Sequence, residues 1–310
     1  MLSLLPYEPG LEAVWDGVVD ASRNGTLQHR RAYMDYHRQR FSDASLIVMR
    51  KGMPVAVFPA HRINGHIVSH GGLSHAGLIL SHALRAEGTL ETFDRMADHY
   101  RAQGCSRITY KPVPHVFQAY PAEDDLYALQ RRGARLARRE LSTVIGLQQG
   151  YRWSEARRHA MHRAEREGVT VGAGRDWENF HTLLTDVLAS HDATPTHSLG
   201  ELRLLHARFP GHILLHEARR EGRLLAGVVT YDYGRTVHTQ YMAASEEGRA
   251  CDALSLLLGS LIRDHYASRT WFSFGISTEQ HGDVLNEGLV AHKESFGGRS
   301  IVHDTYEWTL

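Results

Sequence analysis

Residues 237–262 read VHTQYMAASEEGRACDALSLLLGSLI. The first eight are rich in β-branched, aromatic and small apolar side chains, which predicts a strand over 237–244. Ser245-Glu246-Glu247-Gly248-Arg249 carries loop chemistry. From Asp252 onward Leu254, Leu257, Leu258, Leu261 and Ile262 recur at three and four, which predicts a helix with one buried face. A strand that passes through a Gly-bearing loop into a helix leaves main-chain N–H groups unpaired at the positive end of the helix dipole, so this junction predicts a phosphate cradle.

The rest of the composition narrows the field. A chain of 310 residues can bury a sizeable core and suggests two ordinary domains, cut here at 1–150 and 151–310. Lys plus Arg equals Asp plus Glu at 35 each, so no net field advertises DNA or an acidic membrane as partner. Cys105 and Cys251 are the only cysteines, too few for a disulfide framework, which fits a reducing cytoplasm. The opening MLSLLPYEPG has no basic segment ahead of an apolar one, so a signal peptide is not expected, and no apolar run reaches membrane-spanning length. The histidines at 61, 66, 70 and 75 and the pair His159 and His162 invite a metal, but no carboxylate or Cys completes a ligand set and none is expected.

The segments around the opening stretch repeat. In the first half, strands over 45–50 and 54–60 flank Lys51-Gly52, Asn64-Gly65 leads into 66–70, a helix covers 89–101, a strand 107–111, a helix 124–132 and a strand 141–147. In the second half, strands over 213–219, 224–231 and 237–244 precede a helix over 252–266, a strand over 271–275, a helix over 283–294 and a closing strand over 300–308. Each half reads β-β-β-α-β-α-β, offset by roughly 165 residues. Between them lie a basic helix over 153–167 and one over 177–190 capped by Asp176.

An antiparallel meander followed by a strand, a Gly-bearing loop, a helix and a strand resembles the GNAT acyltransferase fold. Two copies in tandem resemble the Fem-type peptidyltransferases and the related sugar N-acyltransferases. The segments Phe274-Gly275, Asn286-Glu287-Gly288-Leu289 and Lys293-Glu294-Ser295-Phe296-Gly297-Gly298 are similar to the C-terminal pattern of that group, as are Phe209-Pro210 and the run HDATPTH over 191–197. The resemblance implies an α/β (α+β) chain of two GNAT-like domains, each a mixed, mostly antiparallel sheet flanked by helices. It also implies acyl-coenzyme A as co-substrate, bound by the second domain through Ala243, Ala244, Gly248, Arg249, Ala250, Asn286 and Lys293. The family's pyrophosphate loop opens on a basic or amide residue, whereas the matching run here, from Glu246 to Cys251, opens on an acid.

Acyl transfer to an amine needs a base for the amine proton and donors for the developing oxyanion. The resemblance puts the oxyanion donor on the main chain of 241–244. Candidate bases are His191 and His197, which flank a Pro-containing loop, and Glu279; Tyr241 is a candidate acid for the leaving thiolate, while Ser198 to Glu201 fits a helix capping box. Gln240, Ser277, Arg157 and Arg158 are candidates for holding the acceptor, the arginines through its phosphates.

The reading is a cytoplasmic N-acyltransferase, monomeric or homodimeric, that moves an acyl group from coenzyme A to the amine of a nucleotide-linked amino sugar for a surface polysaccharide. Two others stand beside it: a Fem-type transferase with aminoacyl-tRNA as donor and a cell-wall precursor as acceptor, and a non-catalytic binding protein.

Overall fold

A computed structural model describes residues 2–310. Contacts divide them into two compact units, one formed by Met1–Glu140 with Val302–Leu310, the other by Leu141–Ile301. The boundary thus falls ten residues before the cut expected from sequence, and the last nine residues rejoin the first unit, because the closing strand Arg299–Thr309 runs out of one unit into the other.

In the first unit Leu2–Pro6, Leu46–Arg50, Met53–Phe58 and Ile79–Leu80 form a four-stranded antiparallel sheet. The opening strand Leu2–Pro6 was not expected from sequence; its five residues pair with Arg50 through Leu46, and Leu2 is buried. A second sheet brings the closing strand beside Arg107–Tyr110, then His66–Val68, His61–Ile63 and Ser42–Asp43. The helix Ala86–Ala102 buries Phe93, Met96, Ala97 and Tyr100 at helical spacing into a core with Phe58, Ile108, Tyr110 and Trp308. His37, His61 and His70 pack with Phe41 as rings, and no group of three His, Cys, Asp or Glu side chains gathers for a metal among the described residues.

The second unit is built on Thr170–Ala173, Ile213–Arg220, Arg223–Asp232, Thr236–Ala244, Trp271–Ile276 and the end of Arg135–Gly146, in that spatial order. Every neighbour is antiparallel except the pair Thr236–Ala244 and Trp271–Ile276, which is parallel. A parallel pair needs a crossover. Here the crossover is the run from Glu246 to His265, whose Leu256, Leu257, Leu258, Leu261 and Ile262 pack on Val228, Val237 and Phe272.

Two expectations for this unit need correction. The predicted loop over 245–249 is a helix, Glu246–Ala250, because Ser245 caps it by accepting from the N–H of Gly248. Asp252 then turns the chain with φ of 57°, and Ala253–Ser260 follows as a separate helix. The helix expected over 283–294 covers only Glu287–Glu294; Thr278–Glu279 and Val284–Leu285 ahead of it pair as a hairpin whose tip holds Gln280, His281 and Gly282 all at positive φ. The capping box from Ser198 to Glu201 is present at the start of Leu199–Arg208.

Candidate active site

The strand Thr236–Ala244 has two unequal edges. Toward Arg223–Asp232 it is paired along its length, apart from a bulge that sets Thr239 opposite Thr230 and Tyr241 opposite Val229, so Gln240 stands between them without a partner residue. Toward Trp271–Ile276 the ladder has three rungs, Thr236 to Trp271, Val237 to Phe272 and His238 to Ser273. Beyond them the main chain of residues 239–244 is released from the parallel ladder on that edge.

Lys293 holds the far side of the opening. Its side chain is 1% exposed, and its ammonium donates to the carbonyls of Gly275 at 2.9 Å and Ile276 at 2.6 Å and to Ser277 Oγ at 2.7 Å. Gly275 has φ of 74°, and a Cβ there would lie 3.1 Å from the His238 ring. Burial without a carboxylate pushes the Lys293 pKa down to about 8. The expectation that Lys293 faces a donor group is therefore corrected: its three N–H bonds are spent inside the protein.

On the strand's open side lies a cavity of about 650 Å³. Met242, Ala243 and Ala244 form one wall, with Gly248 and Arg249 from the short helix. Asp252, Leu254 and Ser255 contribute the start of the next helix, Val187 and His191 the end of Trp177–Ala189, and Leu289 and His292 the helix Glu287–Glu294. Arg157, from Glu155–Arg166, completes it.

Gly248 is not a phosphate-binding amide here. Its N–H donates to Ser245 Oγ at 3.0 Å, and the N–H of Arg249 to the Ser245 carbonyl at 2.8 Å. A Cβ on Gly248 would stand 2.1 Å from the Leu225 carbonyl oxygen, so glycine is required for the helix to lie against the neighbouring strand. Arg249 closes the strand end through a 2.8 Å bond from Nη1 to the Ala244 carbonyl. Ala250 is exposed in the same short helix and lies outside the residues that line the cavity.

Arg157 is fixed by neutral partners: Nε donates to Ser295 Oγ at 3.0 Å, Nη1 to Ser255 Oγ, and Nη2 to His292 Nδ1 at 3.2 Å, while the guanidinium carbon sits 4.4 Å from the Phe296 ring centre. Burial lowers its pKa, with Asp252 opposing. Burial, followed by the charges of Arg157 and Lys293, pushes His292 down to about 4, so it is a neutral imidazole accepting at Nδ1 and carrying its proton on Nε2. Arg158, one residue on, turns instead into a separate cavity of about 610 Å³ with Tyr151, Trp153 and Arg263, as a step of about 100° around a helix dictates.

His191 lines the main cavity and is exposed. His197 is buried: its main-chain N–H donates to Tyr241 Oη at 3.2 Å, and its Nδ1 lies 2.7 Å from the same oxygen. The phenol, occupied as an acceptor, donates to Nδ1; burial raises its pKa against the hydrogen bonds of Thr196, His197 and Gln240. His197 and Tyr241 therefore tie the loop after Trp177–Ala189 to the strand, and neither lines the cavity. Glu279 is exposed on the hairpin and accepts from Asn286 Nδ2 at 2.7 Å, while Asn286 Oδ1 caps Glu287–Glu294 by accepting from Leu289 N–H at 2.9 Å. Asn286 thus serves the helix, not a bound donor. Ser277, buried, joins Lys293 and the Leu141 carbonyl.

Of the residues singled out from sequence, His191, Ala243, Ala244, Gly248, Arg249 and Arg157 meet around one cavity. Met242 had been singled out only through its main chain, and sequence reasoning missed Asp252, Ser255 and His292. His292 adjoins the Lys293 motif, and Ser255 lies one turn into the predicted helix, so position alone could have raised both.

With this geometry in view, residues 152–282 match the acetyltransferase (GNAT) domain family. Among solved structures, FemX is 13% identical, covering 99% of this chain and 97% of its own, with a TM-score of 0.70. L-PGS from Bacillus licheniformis is 13% identical over 98% of this chain and 92% of its own, with a TM-score of 0.64. A tandem GNAT protein from the clavulanic acid biosynthesis pathway is 12% identical over 100% and 98%, with a TM-score of 0.54. No curated protein matches the sequence. The chain is a mixed α/β protein of tandem GNAT-like fold whose residues 152–282 match an acetyltransferase domain.

Proposed function

We propose that the chain transfers an acyl group from acyl-coenzyme A to the primary amine of a nucleotide-linked amino sugar in the cytoplasm. The observation that carries this reading is the cavity of about 650 Å³ set against the released stretch of the strand, with a small apolar wall at Ala243 and Ala244 and a cation at Arg157. An extended thioester arm fits along such a wall, and main-chain N–H groups freed from the ladder are suited to the oxyanion. The amine nitrogen bonds to the acyl carbon, its proton passes to His191, the carbon–sulfur bond breaks, and the leaving thiolate takes that proton back from His191. His191 is the base in this scheme because it alone of the three candidates lines the cavity.

Calorimetric titration with acetyl-coenzyme A, followed by thiol release in the presence of amino-sugar nucleotides, tests the proposal. Micromolar binding and amine-dependent thiol release are expected. Absence of binding, with turnover of an aminoacyl-tRNA instead, would replace it with the Fem-type reading, which the fold likeness to FemX also accommodates.

A further inference from the structure

A second cavity, of about 720 Å³, runs along the helix Glu155–Arg166. Arg157 and Asp252 line both this groove and the acyl cavity, so the two spaces meet at that pair. Arg163, Arg166, His159 and His162 line the rest. Asp252 is the carboxylate among the lining residues, and it is already ion-paired with Arg163. Arg157, at the junction, has no carboxylate within ion-pairing distance among the described residues. Its three partners, Ser295, Ser255 and His292, are uncharged, and they occupy three of its five N–H bonds.

A half-buried guanidinium held rigid by hydroxyls, an imidazole and a ring face, with Asp252 near but paired to Arg163, is stabilised by a bound anion. Arginine's planar fork suits phosphate oxygens in particular. The excess of positive groups continues along the groove to Arg166, so the anion that fits carries more than one phosphate.

Resting on the acyl-transfer reading, we infer that the groove along Glu155–Arg166 holds the phosphates of a nucleotide-bearing substrate, with Arg157 gripping the phosphate nearest the acyl cavity. Two substrates of the reaction offer this chemistry: coenzyme A, with its diphosphate and 3′-phosphate, and the nucleoside diphosphate of the acceptor.

The test is calorimetry on the whole chain with acetyl-coenzyme A, dephospho-coenzyme A and UDP, using wild type, Arg157→Gln, Arg157→Lys and Arg166→Gln, each checked by thermal melting. Arg157→Gln is expected to weaken the nucleotide that binds by about ten- to hundredfold, the worth of a charge-assisted hydrogen bond. Arg157→Lys, which keeps the charge and loses the fork, recovers part of that, and Arg166→Gln, at an exposed site, gives a smaller loss and a shallower salt dependence. Loss confined to acetyl-coenzyme A, with dephospho-coenzyme A less sensitive to Arg166→Gln, assigns the groove to the donor. Loss confined to UDP, in a protein that does not bind acetyl-coenzyme A, supports the groove and removes coenzyme A as the donor. Binding of acetyl-coenzyme A and of UDP both unchanged in folded Arg157→Gln and Arg166→Gln overturns the inference while acyl transfer stands; a wild type that binds none of the three nucleotides overturns the inference and the acyl-coenzyme A reading together.

Discussion

Replacing Gly248 with alanine separates a packing role from a ligand role. The added Cβ would sit 2.1 Å from the Leu225 carbonyl oxygen and 2.8 Å from its carbon. An ordinary carbon–oxygen contact needs about 3.3 Å, so something must move by roughly 1 Å. Leu225 stands at a bulge of Arg223–Asp232, a strand paired on both sides from Ala226 onward, whereas Glu246–Ala250 is a single short helix. The helix therefore yields. Its displacement strains the bonds that seat it: Ser245 N–H to the Leu225 carbonyl at 2.9 Å, Ser245 Oγ to the same carbonyl at 3.2 Å, and Gly248 N–H to Ser245 Oγ at 3.0 Å.

Overpacking costs about 1–3 kcal/mol and each weakened hydrogen bond about 1, which together put Gly248→Ala at roughly 2–4 kcal/mol. For a unit of this size that lowers Tm by roughly 5 to 15 °C. Ser245→Ala removes only the cap and is expected to cost about 1 kcal/mol. Denaturant unfolding of both variants, with acetyl-coenzyme A titrated into each, is the assay. The reasoning fails if Gly248→Ala unfolds at the wild-type midpoint, and a variant of undiminished stability that has lost only donor binding would restore the phosphate-cradle role for this glycine.

Three further outcomes are expected. His191→Gln should lower kcat by about a hundredfold with little change in KM, as removal of a base in the transition state does; unchanged turnover would remove His191 from the mechanism. Asp125, buried and accepting from Tyr110 Oη at 2.7 Å, is pushed by burial up to about 7, so the folded state keeps a proton that the unfolded chain releases near 3.8. Stability from this group is full below 3.8 and lost as pH climbs to about 7, by about 4 kcal/mol at most, and Asp125→Asn should abolish that slope in urea melts; parallel wild-type and variant curves would refute it. Lys293, its pKa pushed down, has the opposite sense: its contribution is present above pH 10.5 and lost as pH falls toward about 8, so the stability difference between wild type and Lys293→Met should grow over that window, and a flat difference would show the ammonium to be solvated.

Local pattern carried much of the fold. The meander Ile213–Arg220, Arg223–Asp232 and Thr236–Ala244 was legible because tight turns at 220–223 and 233–234 interrupt runs of β-branched residues. The hairpin at 278–285 was not, because its strands are two residues each and its tip depends on positive φ at Gln280 and His281, which composition does not announce. The site was legible where it is contiguous, along residues 243–249. It was hidden where partners are remote: Arg157 is fixed by Ser255, 98 positions away, and by His292 and Ser295, 135 and 138 away. Gly248 shows a further limit, since a glycine that admits a phosphate and one that admits a neighbouring carbonyl look alike in sequence.

The use of lysine makes the same point in physical form. The chain has 32 arginines and three lysines, and two of those lysines place their ammonium groups on main-chain carbonyls: Lys111 on His70 and Leu73, Lys293 on Gly275 and Ile276. Both clamped segments contain a residue at positive φ, His70 at 27° and Gly275 at 74°, where the main chain leaves regular geometry. Acceptors converging on one point suit a compact ammonium with three donors; a planar guanidinium reaches them only by spreading the segment apart. Apart from Lys51, exposed on a turn, the chain uses arginine for its other cations, and lysine is retained inside each unit where geometry excludes arginine. In the second unit that clamp sets the end of Trp271–Ile276, and with it the opening beside Thr236–Ala244 on which the proposed chemistry depends. A surface cation could be exchanged without loss, whereas this one fixes the shape of the site from behind.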